Sequence, residues 1–242
     1  MNKQITLERL HELKLAGMER VYRSMTSLQP DEQPSVDELM ARLVEAEHLE
    51  RTHKRMQILT RQSKLRYNAT LEQVHCNRER NFTRDQQSAL SDGSFILRAE
   101  NILITGATGS GKSFLASAIG RQACTLGYKT VYLPMNRFLE KIAMARVQGT
   151  FLNLLDQLQK MQLIILDDFG IQPLTDDARL ALLQILEDRY GLKATIVASQ
   201  LPVDKWHTFI NQPTLADAIC DRLTAKAIRI DLKGESLRKK LQ

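Results

Sequence analysis

The 242-residue sequence predicts an α/β protein with a helical N-terminal part followed by a five-stranded parallel sheet interleaved with helices. Three observations carry this. Up to residue 64, apolar residues recur at helical spacing and no strand-like run interrupts them. From residue 101, short apolar runs alternate with amphipathic stretches, the pattern of a parallel α/β sheet. Between the first run and the first amphipathic stretch lies Gly106-Ala107-Thr108-Gly109-Ser110-Gly111-Lys112-Ser113, which fits the phosphate-loop pattern G-x-x-x-x-G-K-[ST] at every fixed position.

Each element has its own reason. Thr6 can cap a helix running to about Leu28, with Leu7, Leu10, Met18, Val21, Tyr22 and Met25 on one side, and the Pro30 to Pro34 stretch ends it. Ser35-Val36-Asp37-Glu38 is a capping box opening a second helix through Leu39, Leu43, Ala46 and Leu49 to about Lys64. Residues 65–95 read as a basic connector in which Tyr67, Phe82 and Phe95 are scattered among Arg66, Arg78, Arg80 and Arg84. Such interleaving either tracks a phosphate backbone or tethers a linker to the core. The strands are Ile102–Ile104, Lys129–Leu133, Leu163–Asp168, Thr195–Gln200 and Ile228–Leu232. Helices are expected over 115–126, 137–147, 151–159, 177–190, 203–210 and 215–224, the 177–190 helix built on Leu180, Leu183, Ile185 and Leu186. The expected division is 1–64 helical, 65–95 connector and 96–242 nucleotide-binding domain.

Composition narrows the class. No run of about 18 apolar residues exists, so no spanning helix is expected, and the N-terminus lacks the apolar centre of a signal peptide. Cys76, Cys124 and Cys220 are far apart and form no C-x-x-C pair, which indicates neither a zinc ribbon nor a disulfide framework and suits the cytoplasm. The net charge is +6, and its placement is uneven. Residues 51–84 carry nine Lys/Arg against two acids, residues 222–242 carry seven against two, and residues 101–221 carry eleven of each sign. Basic segments flanking a neutral core suggest nucleic acid as a partner, or else solvated helix faces and a tail.

The loop and the strand ends supply the chemistry. Gly106, Gly109 and Gly111 let backbone N–H groups approach phosphate, the helix N-terminus adds positive potential, Lys112 adds a full charge, and Ser113 can ligate Mg²⁺. Ala107, Thr108 and Ser110 complete the cradle. An apolar strand ending in Asp167-Asp168 can hold Mg²⁺ through Asp167, with Asp168 placed to orient or deprotonate an attacking water. Ser199 and Gln200 end the next strand, where ligands of open α/β sheets bind; they either contact a γ-phosphate or simply close the strand before Pro202. Arg222 lies on a late helix and is either a surface residue or a charge presented to a neighbouring subunit's phosphate.

Taken together, these residues resemble AAA+ ATPases of the DnaC-like helicase-loader type, and more closely the IstB-like helper ATPases of insertion-sequence transposition. The matches are Asn101-Ile102-Leu103-Ile104-Thr105-Gly106, Leu126-Gly127-Tyr128, Asp167-Asp168-Phe169-Gly170, Ser199-Gln200-Leu201-Pro202 and Trp206, then 213–219, Asp221-Arg222-Leu223 and 234–238. The resemblance implies an AAA+ core with strand order 5-1-4-3-2, ATP and Mg²⁺ as cofactors, and ATP-dependent self-assembly with sites at subunit interfaces. It implies Ser199 and Gln200 at the first-sensor position and Arg222 as the interface arginine. It also implies duplex DNA and a transposase as partners in a bacterial cytoplasm, with no membrane. Arg137 and Lys141 match an element that faces DNA in the central channel.

Two features depart from the pattern. Many AAA+ proteins have Asp-Glu where this chain has Asp167-Asp168, so slow hydrolysis is expected. Only ten residues follow the fifth strand, which leaves no space for a helical lid, and Arg238 is the one candidate to replace a lid arginine. A helicase loader, an ATP-gated DNA scaffold with negligible turnover and a small-molecule kinase are the competing readings.

Overall fold

The computed structural model describes residues 2–29, 31 and 34–234. They fall into two compact units, one up to Ile58 and one from Leu59. That boundary precedes the expected one at 64/65.

The first unit contains α1 (Lys3–Glu12), α2 (Ala16–Met25) and most of α3 (Val36–Ser63). The single helix expected over 6–28 is therefore two, broken at Lys14, which adopts a left-handed φ of 57°. The break places Gly17 against α3: an added Cβ would lie 2.3 Å from the Ala46 carbonyl oxygen, so only glycine permits this approach. Glu47 Oε2 accepts from the Gly17 N–H at 3.0 Å, capping the start of α2, and Arg51 Nε donates to Glu47 Oε1 at 2.7 Å. Leu39, Leu43 and Ala46 are half-buried, whereas Leu49 is exposed.

The second unit is built on one parallel sheet of β1 (Ile102–Gly106), β2 (Thr130–Pro134), β3 (Leu163–Phe169), β4 (Ala194–Ser199) and β5 (Ile228–Leu232). Its order is β2-β3-β4-β1-β5, which read from the other edge is the expected 5-1-4-3-2. Strand residues alternate between two cores because successive side chains leave opposite faces. Leu103, Ile164, Leu166 and Val197 pack with α7 (Met135–Val147), α8 (Phe151–Gln159), α9 (Asp176–Arg189), α10 (Trp206–Ile210) and α11 (Pro213–Thr224). Ile102, Ile104, Ile165 and Ile196 face the other way, onto α6 (Lys112–Thr125).

Residues 65–95 share that second core. Ala69, Leu71, Phe82, Leu90 and Phe95 are buried in it, with α4 (Arg84–Ser91) and α5 (Ser94–Leu97) formed from the same stretch. The aromatics of the segment pack on the sheet face that α6 covers. In α9 the buried residues are Ala178, Ala181, Leu182, Ile185 and Leu186, while Leu180 is half exposed, so the apolar stripe is rotated from the one the sequence suggested.

Candidate functional site: a phosphate loop facing an acid pair

β1 ends at Gly106 and α6 starts at Lys112, so the loop between them lies at the carboxyl edge of the sheet. Gly106 is required there by crowding as well as by its φ of 143°: a Cβ would fall 2.3 Å from the Leu232 carbonyl oxygen. Lys112 is buried, and its Nζ donates to the Gly106 and Ala107 carbonyls at 2.8 Å each, which folds the ammonium back over the loop.

The acid pair comes from β3. Asp167 is 1% exposed, and the Tyr132 hydroxyl on neighbouring β2 donates to its Oδ2. Burial first, and then the Asp167 carboxylate, push the Tyr132 phenol well above its usual range, so it remains a proton donor. Asp168 has a left-handed φ of 61°, at the point where the β3–β4 register shifts between Leu166 and Phe169. This bulge turns the second acid out of the strand alternation, so both carboxylates reach the same side. Arg66 Nη1 lies 3.1 Å from Asp168 Oδ2 and 3.5 Å from Asp167 Oδ2.

The loop and Asp168 line one cavity of about 610 Å³. Thr108, Gly109, Gly111, Lys112, Ser113, Asp168 and Gln200 contribute to its wall, as do Arg66, Tyr67, Val74, His75, Arg80 and Phe114. Arg80 Nη2 donates to the Ser110 carbonyl at 2.6 Å, while its Nε and Nη1 and the Ser110 hydroxyl are buried with no hydrogen-bond partner. Burial pulls the Arg80 guanidinium below its usual range. Buried donors without acceptors beside a phosphate loop fit a polyanionic ligand. A Ser hydroxyl and one or two carboxylates suit Mg²⁺, which takes its remaining ligands from phosphate and water. Among the described residues no cluster of three or more His, Cys, Asp or Glu is placed to hold a metal.

The predicted residues separate into groups. Gln200 is in the cavity wall, where its Oε1 accepts from Thr108 Oγ1 at 2.7 Å. Ser199 is fully buried; its hydroxyl donates to the Phe169 carbonyl at 2.6 Å and accepts from the Leu201 N–H at 3.0 Å. Its oxygen is committed to joining the ends of β3 and β4. Arg222 belongs to a different cleft, lined also by Arg98, Asn101, Arg189 and Tyr190. It pairs with Glu187 at 2.8 Å and Asp221 at 3.0 Å, its Nε has no partner, and the Glu187 hydrogen bond leads the causes that raise its pKa. Asn101, just before β1, donates to the Arg222 carbonyl at 2.9 Å, so Arg222 lies by the amino end of the strand whose carboxyl end carries the loop. Arg137 and Lys141 are exposed, one turn apart on α7. Arg238 lies outside the described residues.

A model of the family described as IstB-like ATP binding protein matches residues 8–242. The chain belongs to this family. Among relatives of the IstB-like protein, one from Sinorhizobium fredii, named as an insertion sequence ATP-binding protein, is 42% identical over 97% of this chain and 96% of its own length. An insertion sequence ATP-binding protein of Pseudomonas fluorescens is 39% identical over 84% of this chain and 88% of its own. Solved structures share the fold at lower identity. AMPPCP-bound DnaA from Aquifex aeolicus superposes with a TM-score of 0.59 at 19% identity, over 74% of this chain and 54% of that one. The DnaC helicase loader gives 0.53 at 20% identity, over 69% of this chain and 98% of that one. The IstB-like chain therefore shares the α/β fold of these structures around its phosphate loop. No helix among its described residues is long and apolar enough to cross a membrane.

Arg66 and Arg80 in the cavity wall, and Tyr132 beside Asp167, escaped the sequence reading as site residues. Arg66 and Arg80 were visible only as members of a basic run, and Tyr132 only as an alternate residue of an apolar strand. Nothing in their spacing ties them to the loop; the parallel pairing of β2 with β3 and the packing of 65–95 do.

Proposed function

We propose that this protein is an ATP-hydrolysing, DNA-binding helper of DNA transposition that assembles on duplex DNA in its ATP-bound form and recruits or stimulates the transposase. One observation carries the reading: the loop with its acid pair, and Arg222, are at opposite ends of β1 in the same chain. A phosphate held by Lys112 is then out of reach of its own Arg222, and a second subunit has to supply that charge. Hydrolysis follows at the interface, with Ser113 and Asp167 on Mg²⁺, Asp168 orienting or deprotonating water, and Gln200 at the γ-phosphate end.

The names of the relatives support the transposition setting. The exposed pair Arg137 and Lys141, together with the basic 51–84 stretch, supports contact with the phosphate backbone. Helicase loading is the second reading; it rests on fold likeness alone at 20% identity.

Imaging the protein with ATP and duplex DNA tests the proposal. Rings or filaments on DNA that require ATP, and a transposase retained with them, are expected. Capture of a replicative helicase with no effect of DNA on ATP turnover would sink it.

A further inference from the structure

Arg66 carries a role that the ATPase reading does not use. It precedes the loop by forty residues, yet its guanidinium is shared between the two acids of β3. Its position is imposed by the backbone around it. Leu59 and Ser63, in the last turn of α3, are buried, and Leu65 packs over Gly120 of α6. Lys64 turns the chain with a left-handed φ of 56°, and Tyr67 stacks in a tilted pair with Phe114, with ring centroids 6.0 Å apart. The Arg66 guanidinium sits 5.7 Å from the Tyr67 ring centre. A side chain fixed on both sides reaches the acids without the entropy cost of a free surface arginine.

The acids need such a partner. Asp167 is 1% exposed, so water cannot neutralise its charge, and the Tyr132 hydroxyl supplies a hydrogen bond but no charge. Asp168 beside it is half exposed, and the like charge it adds next to a buried carboxylate is relieved by a cation. Arg66 meets this need through the oxygens that a divalent metal would take. Arg66 holds Oδ2 of both acids, and a divalent metal taking those same oxygens would compete with it for them.

We propose that Arg66 is an internal counter-ion of the acid pair that Mg²⁺ must displace, making it a positioning residue that sets how readily the metal enters. This rests on the reading of Asp167 as a metal ligand beside Asp168. Once displaced, the guanidinium would remain in the cavity wall, where a bound nucleotide's phosphates would offer it acceptors. Metal and nucleotide then bind cooperatively, because nucleotide stabilises the arginine that metal has released.

The decisive measurement uses metal alone. Mn²⁺ binding to the nucleotide-free full-length chain is followed by electron paramagnetic resonance for the wild type, Arg66→Gln and Arg66→Lys. Arg66→Gln is expected to bind Mn²⁺ about threefold to fivefold more tightly, the range for an ion pair of this exposure, while Arg66→Lys stays near the wild type. Adding Asp167→Asn to Arg66→Gln should abolish the gain. Unchanged or weaker Mn²⁺ binding by a folded Arg66→Gln chain overturns the inference, as does a gain that survives Asp167→Asn. If Arg66→Gln does not fold, Arg66→Lys decides: metal displacing a shorter, monodentate cation must not bind less tightly than in the wild type. The result is independent of hydrolysis: loss of ATP turnover in all forms would strike the ATPase reading and leave this one standing.

Discussion

Thr108 on the phosphate loop donates its hydroxyl to Gln200 Oε1 at 2.7 Å, while Ser199, one residue earlier, turns its hydroxyl away to the Phe169 carbonyl. Adjacent residues at the end of β4 thus do different things, since side chains alternate along a strand. Gln200→Ala should lower ATP turnover by about 100-fold with little change in nucleotide affinity, as loss of a single polar contact to the transition state does. Ser199→Ala should instead lower stability by about 1–3 kcal/mol, because two buried backbone groups lose their partner. Single-turnover hydrolysis and thermal denaturation of both variants separate the two roles. Equal loss of turnover with unchanged stability would contradict the assignment.

The separation of Arg222 from Lys112 predicts complementation in trans. Arg222→Ala should bind nucleotide normally yet lose about 10³-fold or more in turnover. Lys112→Ala should lose nucleotide affinity by about 10- to 100-fold, the worth of a charge-assisted contact. Mixing the two inactive variants should restore part of the activity, because one interface then joins an intact loop to an intact arginine. A mixture as inactive as its parts would show that the site is completed within one chain.

The two acids should fail in different ways. Asp168→Asn should keep Mg²⁺-dependent nucleotide binding and lose about 10²- to 10⁴-fold in hydrolysis, the contribution of a general base. Asp167→Asn should weaken the Mg²⁺ dependence of binding itself. Titrating Mg²⁺ against a fluorescent ATP analogue, alongside single-turnover rates, reads both effects.

The first unit contains an acid-sensitive clamp. Burial raises the Glu47 carboxyl, but the Arg51 hydrogen bond and the Gly17 and Met18 N–H groups outweigh it, leaving the pKa below 4.5. A depressed folded value means that the stabilisation is complete above the unfolded pKa and is lost as pH falls through the folded one. Hydrogen-exchange protection of the Gly17 and Met18 amides should therefore hold above pH 4.5 and decline below it, and Glu47→Gln should remove this pH dependence. Gly17→Ala should destabilise α2 at every pH, by about 1–3 kcal/mol, as overpacking against a backbone carbonyl does.

The α/β class, the five strands, their order through the family likeness, the phosphate loop and the acid pair were all legible in the residues. These are local patterns: a hydrophobic period, a glycine spacing and a strand-ending charge survive being read one segment at a time. The rest was decided by tertiary structure. Residues 65–95 read as a basic connector because their charges are many and their apolar residues sparse, yet Phe82 and Phe95 are buried on the sheet and Arg66 and Arg80 enter the cavity. The stripe of α9 was rotated by its neighbours, and Ser199 and Gln200 were told apart only by where their oxygens point. Which charge meets which across a hundred residues depends on the packing of β2, β3 and α6 around one cavity, and no local pattern encodes that packing.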